Sequence, residues 1–194
     1  MGRPRKPSQT SCYHVVARGN NQQAVFFGDS DFLAYRGALE RYKAQYSVEI
    51  FHYCLMTNHV HLVLRIPVLS QLARFMHDVQ RQYFFYRHRK DEIGGHTWEG
   101  PFRSFPIESE SYLLECGRYV ERNPIEAEMV NLPEEYLWSS YRFYAEGKGD
   151  ALLTPSPLYS GMGLTDIERQ ENYRKYVCAV RTLSTRYFVP GTPV

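Results

Sequence analysis

The first 66 residues alternate between polar segments and short runs whose apolar residues follow the period of a strand or a helix. A strand is predicted over residues 11–18. A helix is predicted over about 29–47, where apolar residues recur every three or four positions. Residues 50–66 predict two further strands, joined by a tight polar turn at Thr57-Asn58. The chain is therefore predicted to open with a β-α-β-β segment.

The next part of the chain begins with a long amphipathic helix, predicted over residues 70–90. Its apolar residues recur at helical spacing: Leu72, Phe75, Met76, Val79 and Tyr83. A fourth strand is predicted over 102–107 and a third helix over 109–123. We expect this helix to end there, because Pro124 disfavours the helical conformation in the residue before it. A short helix at about 124–130, a segment at 137–145 and a helix at about 165–181 complete the pattern.

This order of elements, β-α-β-β-α-β-α, is typical of the ferredoxin-like, split β-α-β architecture. We predict an α+β protein with an antiparallel sheet, helices on one face of the sheet and a C-terminal helical extension. The chain divides into a basic N-terminal arm (1–10), a main domain (11–145) and a C-terminal helix with a tail (146–194).

The composition is that of one globular domain, with 194 residues of which 43% are hydrophobic and 23% charged. No apolar run approaches the roughly 20 residues of a membrane span, and the first residues do not have the pattern of a signal peptide. We therefore expect a cytoplasmic protein with no membrane partner. The four cysteines stand singly, which argues against a zinc ribbon or a disulfide framework.

The segment His59-Val60-His61 is the first candidate for chemistry. Residues two apart on a strand share one face, so the two imidazoles would stand side by side while Val60 points into the apolar layer. Two adjacent imidazoles are half of a divalent metal site. The alternative is that one histidine faces solvent and the other is a hydrogen-bonded strand residue. His14, on the first strand, is interpreted as a structural residue.

The third helix carries Tyr119 and Asn123, which lie four residues apart and therefore share one helix face. A carboxamide oxygen is a hard metal ligand, and a phenol is a nucleophile. One helix could therefore supply a third ligand and a nucleophile to a metal that the two histidines hold. The alternatives are that Tyr119 is a half-buried core residue and that Asn123 caps the helix.

Taken together, these motifs resemble those of a known family. His59-Val60-His61 resembles the HUH motif, in which two histidines flank a hydrophobic residue, and Tyr119 with Asn123-Pro124 resembles the matching Y-x-x-x-N helix. Further similar segments are Arg18-Gly19-Asn20, Trp98-Glu99-Gly100 and Tyr136-Leu137-Trp138-Ser139-Ser140. Over residues 11–145 the chain resembles the single-tyrosine HUH transposases of small bacterial insertion sequences, and most closely the REP-associated tyrosine transposases.

The resemblance implies that residues 11–145 are a catalytic domain that cleaves and rejoins single-stranded DNA beside a REP-like hairpin. His59, His61 and Asn123 would hold a divalent cation, Mg²⁺ or Mn²⁺, and Tyr119 would attack the scissile phosphate. The products would be a 5′-phosphotyrosine and a free 3′-OH. The resemblance also implies a bacterial, nucleoid-associated protein that acts as a monomer or a homodimer.

Basic residues are the candidate DNA contacts, although the net charge is only +2. They cluster in the N-terminal arm, at the end of the second helix and on the third helix. Arg18 lies apart from these clusters, in the family-like segment Arg18-Gly19-Asn20. The candidates are Arg3, Arg5, Lys6, Arg18, Arg81, Arg87, Arg89, Lys90, Arg118 and Arg122. The alternative for each is ordinary solvated charge.

Some positions depart from the family pattern or compete with these assignments. Pro101 stands where relatives often have an arginine, and His88 lies near a position where they have an asparagine. Tyr83 and Tyr86 lack an Asn or Gln four residues later, so they are interpreted as packing or base-stacking residues. The remaining histidines are expected at the surface or against DNA: His52, His77, His88 and His96.

Two other functions stay open at the level of sequence. A non-catalytic nucleic-acid-binding module on the same sheet would need neither the metal nor the phenol. A metal-dependent phosphodiesterase that uses water as the nucleophile would need His59 but not Tyr119. The formation of a covalent adduct between protein and DNA distinguishes both from the transposase.

Overall fold

Four antiparallel strands form the centre of the protein in the computed structural model, which describes residues 6–91 and 96–179. The strands lie in the order β2-β3-β1-β4, so that β1 and β3 are central. Their bounds are β1 Cys12–Arg18, β2 Glu49–Met56, β3 His59–Arg65 and β4 Arg103–Ile107. The predicted α+β fold, the order of its elements along the chain, the central position of the strand with His59 and His61, and the two-residue turn at Thr57-Asn58 are confirmed.

One face of the sheet packs against α1 (Asp29–Gln45) and α2 (Leu69–Asp91). The strands contribute alternate residues to this layer because side chains alternate across a sheet. The buried strand residues of the layer include Val15, Ala17, Leu55, Val60, Leu62 and Leu64. Val60 therefore points away from its two histidine neighbours, as predicted.

The opposite face is covered by α3 (Glu110–Glu126), which corrects the expectation that the helices lie on one face only. This second face is also apolar, because Cys54, Met56 and Val63 line it and must be removed from water. Leu113, Cys116 and Val120 on α3 pack against them. The sheet is therefore buried on both sides, and α3 lies over the same face as His59 and His61.

The helix α3 extends past the predicted stop and contains Pro124 in its last turn. A proline lacks the N–H that would bond to the carbonyl four residues earlier, here that of Val120. The side-chain amide of Asn123 replaces it, donating to the Val120 oxygen (3.3 Å) and to the Tyr119 oxygen (2.8 Å). The separate helix expected at about 124–130 is therefore the end of α3.

The C-terminal part consists of α4 (Tyr141–Glu146) and α5 (Asp166–Cys178), with 3-10 turns at Pro133–Glu135 and Tyr159–Met162. Thr165 and Glu168 form a capping box at the start of α5. Tyrosines dominate the small core between α4 and α5: Tyr141, Tyr144 and Tyr173. The helical extension is confirmed, and it packs back onto α3.

At the other end of the chain, residues 8–10 are tied to the sheet. The hydroxyl groups of Ser8 and Thr10 both donate to the carbonyl oxygen of Ile107, at the end of β4. Arg3, Arg5 and the predicted tail after residue 179 lie outside the described residues. Within the described residues, every helix is too short or too polar to cross a membrane.

A candidate active site beneath α3

The two imidazoles of the H-x-H segment stand together on the α3 face of β3, with ring centroids 4.8 Å apart. His61 is buried, whereas His59 is partly exposed at the start of the strand. The preceding turn is held in place by Gly19, whose N–H donates to the Asn58 oxygen (2.8 Å). A Cβ on Gly19 would lie 2.2 Å from the Gln23 oxygen, so only glycine allows this approach.

Tyr119 lies beside His61, on the same side of the sheet as both histidines. Its ring meets the ring of His61 edge-on, with centroids 5.8 Å apart and an interplanar angle of 89°. Tyr119 is half-buried under these contacts. The sequence-based proposal required the phenol and the imidazoles to share one face, and the structure meets that condition within a single chain.

His14 is a third member of the cluster. Its Nε2 lies 2.9 Å from Nδ1 of His61, the two rings stack at 5.1 Å, and the Tyr119 ring lies 5.9 Å away. His14 is fully buried on β1. The expectation of a structural strand residue omitted this partnership. The sequence could have indicated this role, because side chains alternate along a strand and His14 therefore shares one face of β1 with Arg18, which also belongs to the site.

All three imidazoles are neutral at pH 7. Burial lowers the pKa of His14 to about 3. Burial and the charge of Arg18 lower the pKa of His59 to about 4. Burial, together with the neighbouring His14, His59 and Arg18, holds the pKa of His61 well below its ordinary value. A neutral imidazole has a free lone pair, which is the form that binds a metal.

The hydrogen bonds determine which ring nitrogens are available. Asn58 Oδ1 lies 2.6 Å from Nδ1 of His59, and an amide oxygen only accepts, so the lone pair of His59 is on Nε2. His61 uses Nδ1 with His14, and its buried Nε2 has no partner among the described residues. Two imidazole nitrogens are thus unused, which fits a divalent cation.

The remaining ligands would have to be of other types. The described part of the chain contains no metal-binding group of three or more His, Cys, Asp or Glu side chains. Asn123 is of another type and lies one helical turn after Tyr119 on the same helix face. Its amide nitrogen is engaged with the backbone carbonyls of α3, which leaves the Oδ1 atom as a potential ligand.

Arg18 supplies positive charge beside the cluster. It ends β1, lies directly opposite His59 in the β1–β3 pairing and acts electrostatically on His59 and His61. Its side chain has no hydrogen-bond partner within residues 6–91 and 96–179, and it is only half-buried. A guanidinium in this state is suited to bind a phosphate.

Three of the other basic candidates have partners within the fold, and their role as DNA contacts stays a prediction. Arg87 is 8% exposed, and its guanidinium contacts Asp31 at 3.1 Å. Arg118 donates to the Tyr176 oxygen (3.0 Å) and Arg122 to the Val177 oxygen (3.1 Å). These carbonyls belong to the last turn of α5, where positive charge is favourable.

The other candidates lie away from the histidine cluster. Arg81 and Arg89 are exposed on α2, on the far side of the sheet, and Lys90 bonds to Asp31 at 2.6 Å. Lys6 is exposed near the first described residue. Arg81 and Arg89 line a cleft of about 360 Å³ between α1 and α2. Arg81, Arg89, Lys90 and Lys6 remain predicted DNA contacts.

The structure also corrects the prediction for His52, which is 2% exposed beneath α3. Its Nδ1 donates to Oε1 of Glu121 (3.0 Å), so it contacts neither solvent nor DNA. His77, His88 and His96 are exposed, as predicted. The alternative nucleophiles Tyr83 and Tyr86 lie on the opposite side of the sheet, where they bond to the Val25 oxygen and to Asp31.

Comparison with known proteins identifies the family of the chain. Residues 8–123 match the sequence profile of a family described as IS200-like transposases. No curated protein sequence matches the chain.

Several solved structures are similar, and two of them illustrate the likeness. One is a REP-associated tyrosine transposase bound to a REP hairpin, with a TM-score of 0.65 and 14% identity over 80% of this chain and 92% of that chain. The other is a putative transposase from Deinococcus radiodurans R1, with a TM-score of 0.44 and 20% identity over 63% of this chain and 97% of that chain. The first likeness establishes a common fold.

Proposed function

Because the chain belongs to the family of IS200-like transposases, we propose that it cleaves and rejoins single-stranded DNA, with Tyr119 as the nucleophile. The observation that carries the proposal is the contact of the Tyr119 ring with His61, at 5.8 Å between centroids. A phenol beside the neutral imidazole of His61, whose Nε2 is unused and whose neighbour is His59, is an arrangement suited to metal-assisted attack on phosphorus.

In the cleavage step, the phenolic oxygen of Tyr119 forms a bond to phosphorus while the bond from phosphorus to the 3′ oxygen breaks. The 3′ oxygen takes up a proton and leaves as a 3′-OH, and the phenol loses its proton. The product is a 5′-phosphotyrosine. The reverse attack by a 3′-OH rejoins DNA without an external energy source, because the phosphodiester energy is retained in the protein–DNA bond.

His59 and His61 would hold a divalent cation, Mg²⁺ or Mn²⁺, through their unused Nε2 atoms, with Asn123 as a further ligand. Such an ion, when bound, polarises the scissile phosphate. A cation on Nε2 of His61 requires the tautomer with the proton on Nδ1, and Nε2 of His14 would accept a hydrogen bond from that proton. Imidazole ligands favour Mn²⁺ over Mg²⁺.

The proposed partner is DNA that carries a hairpin beside a single-stranded segment. The support comes from the similar solved structure, which is bound to a REP hairpin. Arg18 is the contact that we place at the scissile phosphate, because it lies beside His59. Lys6, Arg81 and Arg89 are the outer candidates, and their charge would contribute affinity rather than sequence specificity.

The proposed enzyme acts as a monomer, although a homodimer remains compatible with the sequence. His59, His61 and Tyr119 meet within one chain, so no exchange of the tyrosine helix is needed. Only two residues separate β4 from α3, which favours packing of the helix on its own sheet.

The test is to mix the protein with a panel of hairpin oligonucleotides that have single-stranded flanks, with and without Mn²⁺. We expect a metal-dependent covalent adduct that the Tyr119→Phe variant does not form. Tyr112→Phe, a half-buried tyrosine on the same helix, is the matched control and should form the adduct. Cleavage by Tyr119→Phe would support a water-dependent phosphodiesterase, and binding without cleavage by the wild type would support a binding module.

A further inference from the structure

Glu121 is a buried carboxylate that the proposed reaction does not use. It lies on α3 between Tyr119 and Asn123, and its side chain is fully buried. Three groups donate hydrogen bonds to it: Nδ1 of His52 (3.0 Å), the hydroxyl of Ser140 (2.6 Å) and the hydroxyl of Tyr173 (2.6 Å). A carboxylate at this depth is tolerated only when such donors surround it.

The three donors come from three different elements. His52 is on β2, Ser140 precedes α4, and Tyr173 is on α5. His52 and Ser140 donate to Oε1 and Tyr173 alone donates to Oε2, so a rotation of α3 that moved Glu121 away from α5 would leave a buried oxygen unsatisfied. The acid therefore fixes the rotation of the helix relative to the sheet and to α5.

Other contacts on α3 act in the same direction. Gly117 lies directly against His52, since a Cβ there would be 2.6 Å from the Nε2 of that imidazole. Arg118 and Arg122 donate to carbonyl oxygens in the last turn of α5. Thus α3 is attached both to the sheet beneath it and to α5 beside it, on either side of Tyr119.

The position of the Tyr119 hydroxyl depends strongly on this rotation. A tyrosine hydroxyl lies roughly 9 Å from the axis of its helix, so a roll of about 10° moves it by about 1.5 Å. A displacement of that order is enough to slow an in-line reaction about 100-fold. Asn123 would be displaced with it, because both residues are on the same helix.

We propose that Glu121 is a positioning residue for Tyr119 and Asn123, and that α5, through Tyr173, is a part of the catalytic unit. The proposal rests on the proposed strand-transfer function. It assigns a role to a segment outside the family match, which ends at residue 123. The loss of the Tyr173 hydrogen bond should therefore slow the chemical step and leave DNA binding unchanged.

The test compares Tyr173→Phe with Tyr159→Phe in the full-length protein. Each variant loses one hydroxyl and keeps its ring, but Tyr159 donates to the Tyr144 oxygen (2.7 Å) and not to α3. Three quantities are measured: the affinity for hairpin DNA, the rate of adduct formation at saturating DNA and Mn²⁺, and the ¹⁹F NMR spectrum of 3-fluorotyrosine placed at position 119.

We expect Tyr173→Phe to form the adduct at least about 10-fold more slowly, with the affinity for hairpin DNA within about twofold of wild type. The ¹⁹F resonance should shift or split, because the phenol samples more than one position. Tyr159→Phe should match the wild type in all three measurements. If the two hydroxyl groups only stabilised the fold, both variants would lose stability, and neither would lower the adduct rate while keeping its affinity for DNA.

The inference is overturned if Tyr173→Phe matches Tyr159→Phe in adduct rate and in the ¹⁹F spectrum. If the wild type forms no adduct with any hairpin, the proposed function fails, and the ¹⁹F comparison still decides whether Tyr173 positions Tyr119. Glu121→Gln provides a second check. The double variant with Tyr173→Phe should be no slower than Glu121→Gln alone, because Tyr173 acts on α3 through its hydrogen bond to Glu121.

Discussion

Nε2 of His14 lies 2.9 Å from Nδ1 of His61, across the two central strands of the sheet. Both rings are neutral at physiological pH, since burial lowers the pKa of His14 to about 3 and that of His61 well below its ordinary value. One of the two nitrogens must therefore carry the shared proton. If His61 carries it, its Nε2 is a lone pair directed into the candidate metal site.

This pairing predicts that His14 is needed for metal binding. In His14→Phe an aromatic ring is kept but the Nε2 acceptor is lost, so a proton on Nδ1 of His61 is left buried without a partner. We expect the dissociation constant for Mn²⁺, measured by titration calorimetry without DNA, to rise about 10- to 100-fold. His77→Phe, at an exposed position, is the control and should bind Mn²⁺ like the wild type. If His14→Phe bound Mn²⁺ with unchanged affinity, His14 would have no role in metal binding.

The close approach of α3 to His52 predicts a large effect of a single methyl group. In Gly117→Ala the added Cβ would lie 2.6 Å from Nε2 of His52, and the buried imidazole cannot move without breaking its bond to Glu121. We expect the free energy of unfolding, from urea denaturation, to fall by about 1–3 kcal/mol.

Gly37→Ala on α1 is the matched control for that substitution. A Cβ at this helical position meets no atom within 4 Å, so the higher helix propensity of alanine should stabilise the protein by about 0.5–1 kcal/mol. Effects of the same sign at the two glycines would contradict the close packing of α3 on His52.

The position of Arg18 predicts a direct phosphate contact at the candidate active site. Arg18→Gln should weaken binding of hairpin DNA and reduce the slope of log affinity against log salt by about 0.7–0.9, the change expected for one lost phosphate contact. Arg74→Gln, on the exposed surface of α2, removes the same charge on the far side of the sheet. Equal slopes for the two variants would indicate that Arg18 acts only through net charge.

The ion pair of Asp31 with Arg87 predicts a pH-dependent contribution to stability. Burial alone raises the pKa of Asp31, but hydrogen bonds from Lys90, Phe27 and Tyr86 and the charge of Arg87 outweigh it and hold this pKa below its ordinary value. Asp31→Asn should lower the free energy of unfolding by about 3 kcal/mol at pH 7, because it removes a buried charge that pairs with both Arg87 and Lys90.

The sign of the pH dependence follows from the lowered pKa. The folded protein binds the Asp31 proton less readily than the unfolded chain, so the stabilisation is complete above the unfolded pKa of about 3.9. It is lost as the pH falls through the folded pKa. Urea denaturation of both proteins from pH 7 to pH 3 should therefore give curves that converge at the acid end, and a constant difference would exclude this ion pair as the cause.

Local periodicity was sufficient to predict much of the fold and to identify the pairs of residues that share one face of a strand or helix. The i, i+2 spacing placed His59 beside His61 and the i, i+4 spacing placed Tyr119 above Asn123, because these relations are built into any strand or helix. A local rule failed at Pro124. There the Asn123 side chain supplies the missing donor and the helix continues, which the rule for prolines does not consider.

Only the tertiary structure decided which distant residues meet. His14 and His61 are 47 positions apart, and their contact depends on the register of β1 against β3. His52 is buried because Glu121, 69 positions later, faces it across the α3 interface. The role of a histidine, a carboxylate or an arginine depends on the partner that folding brings to it, and a pattern along the chain carries no information about that partner.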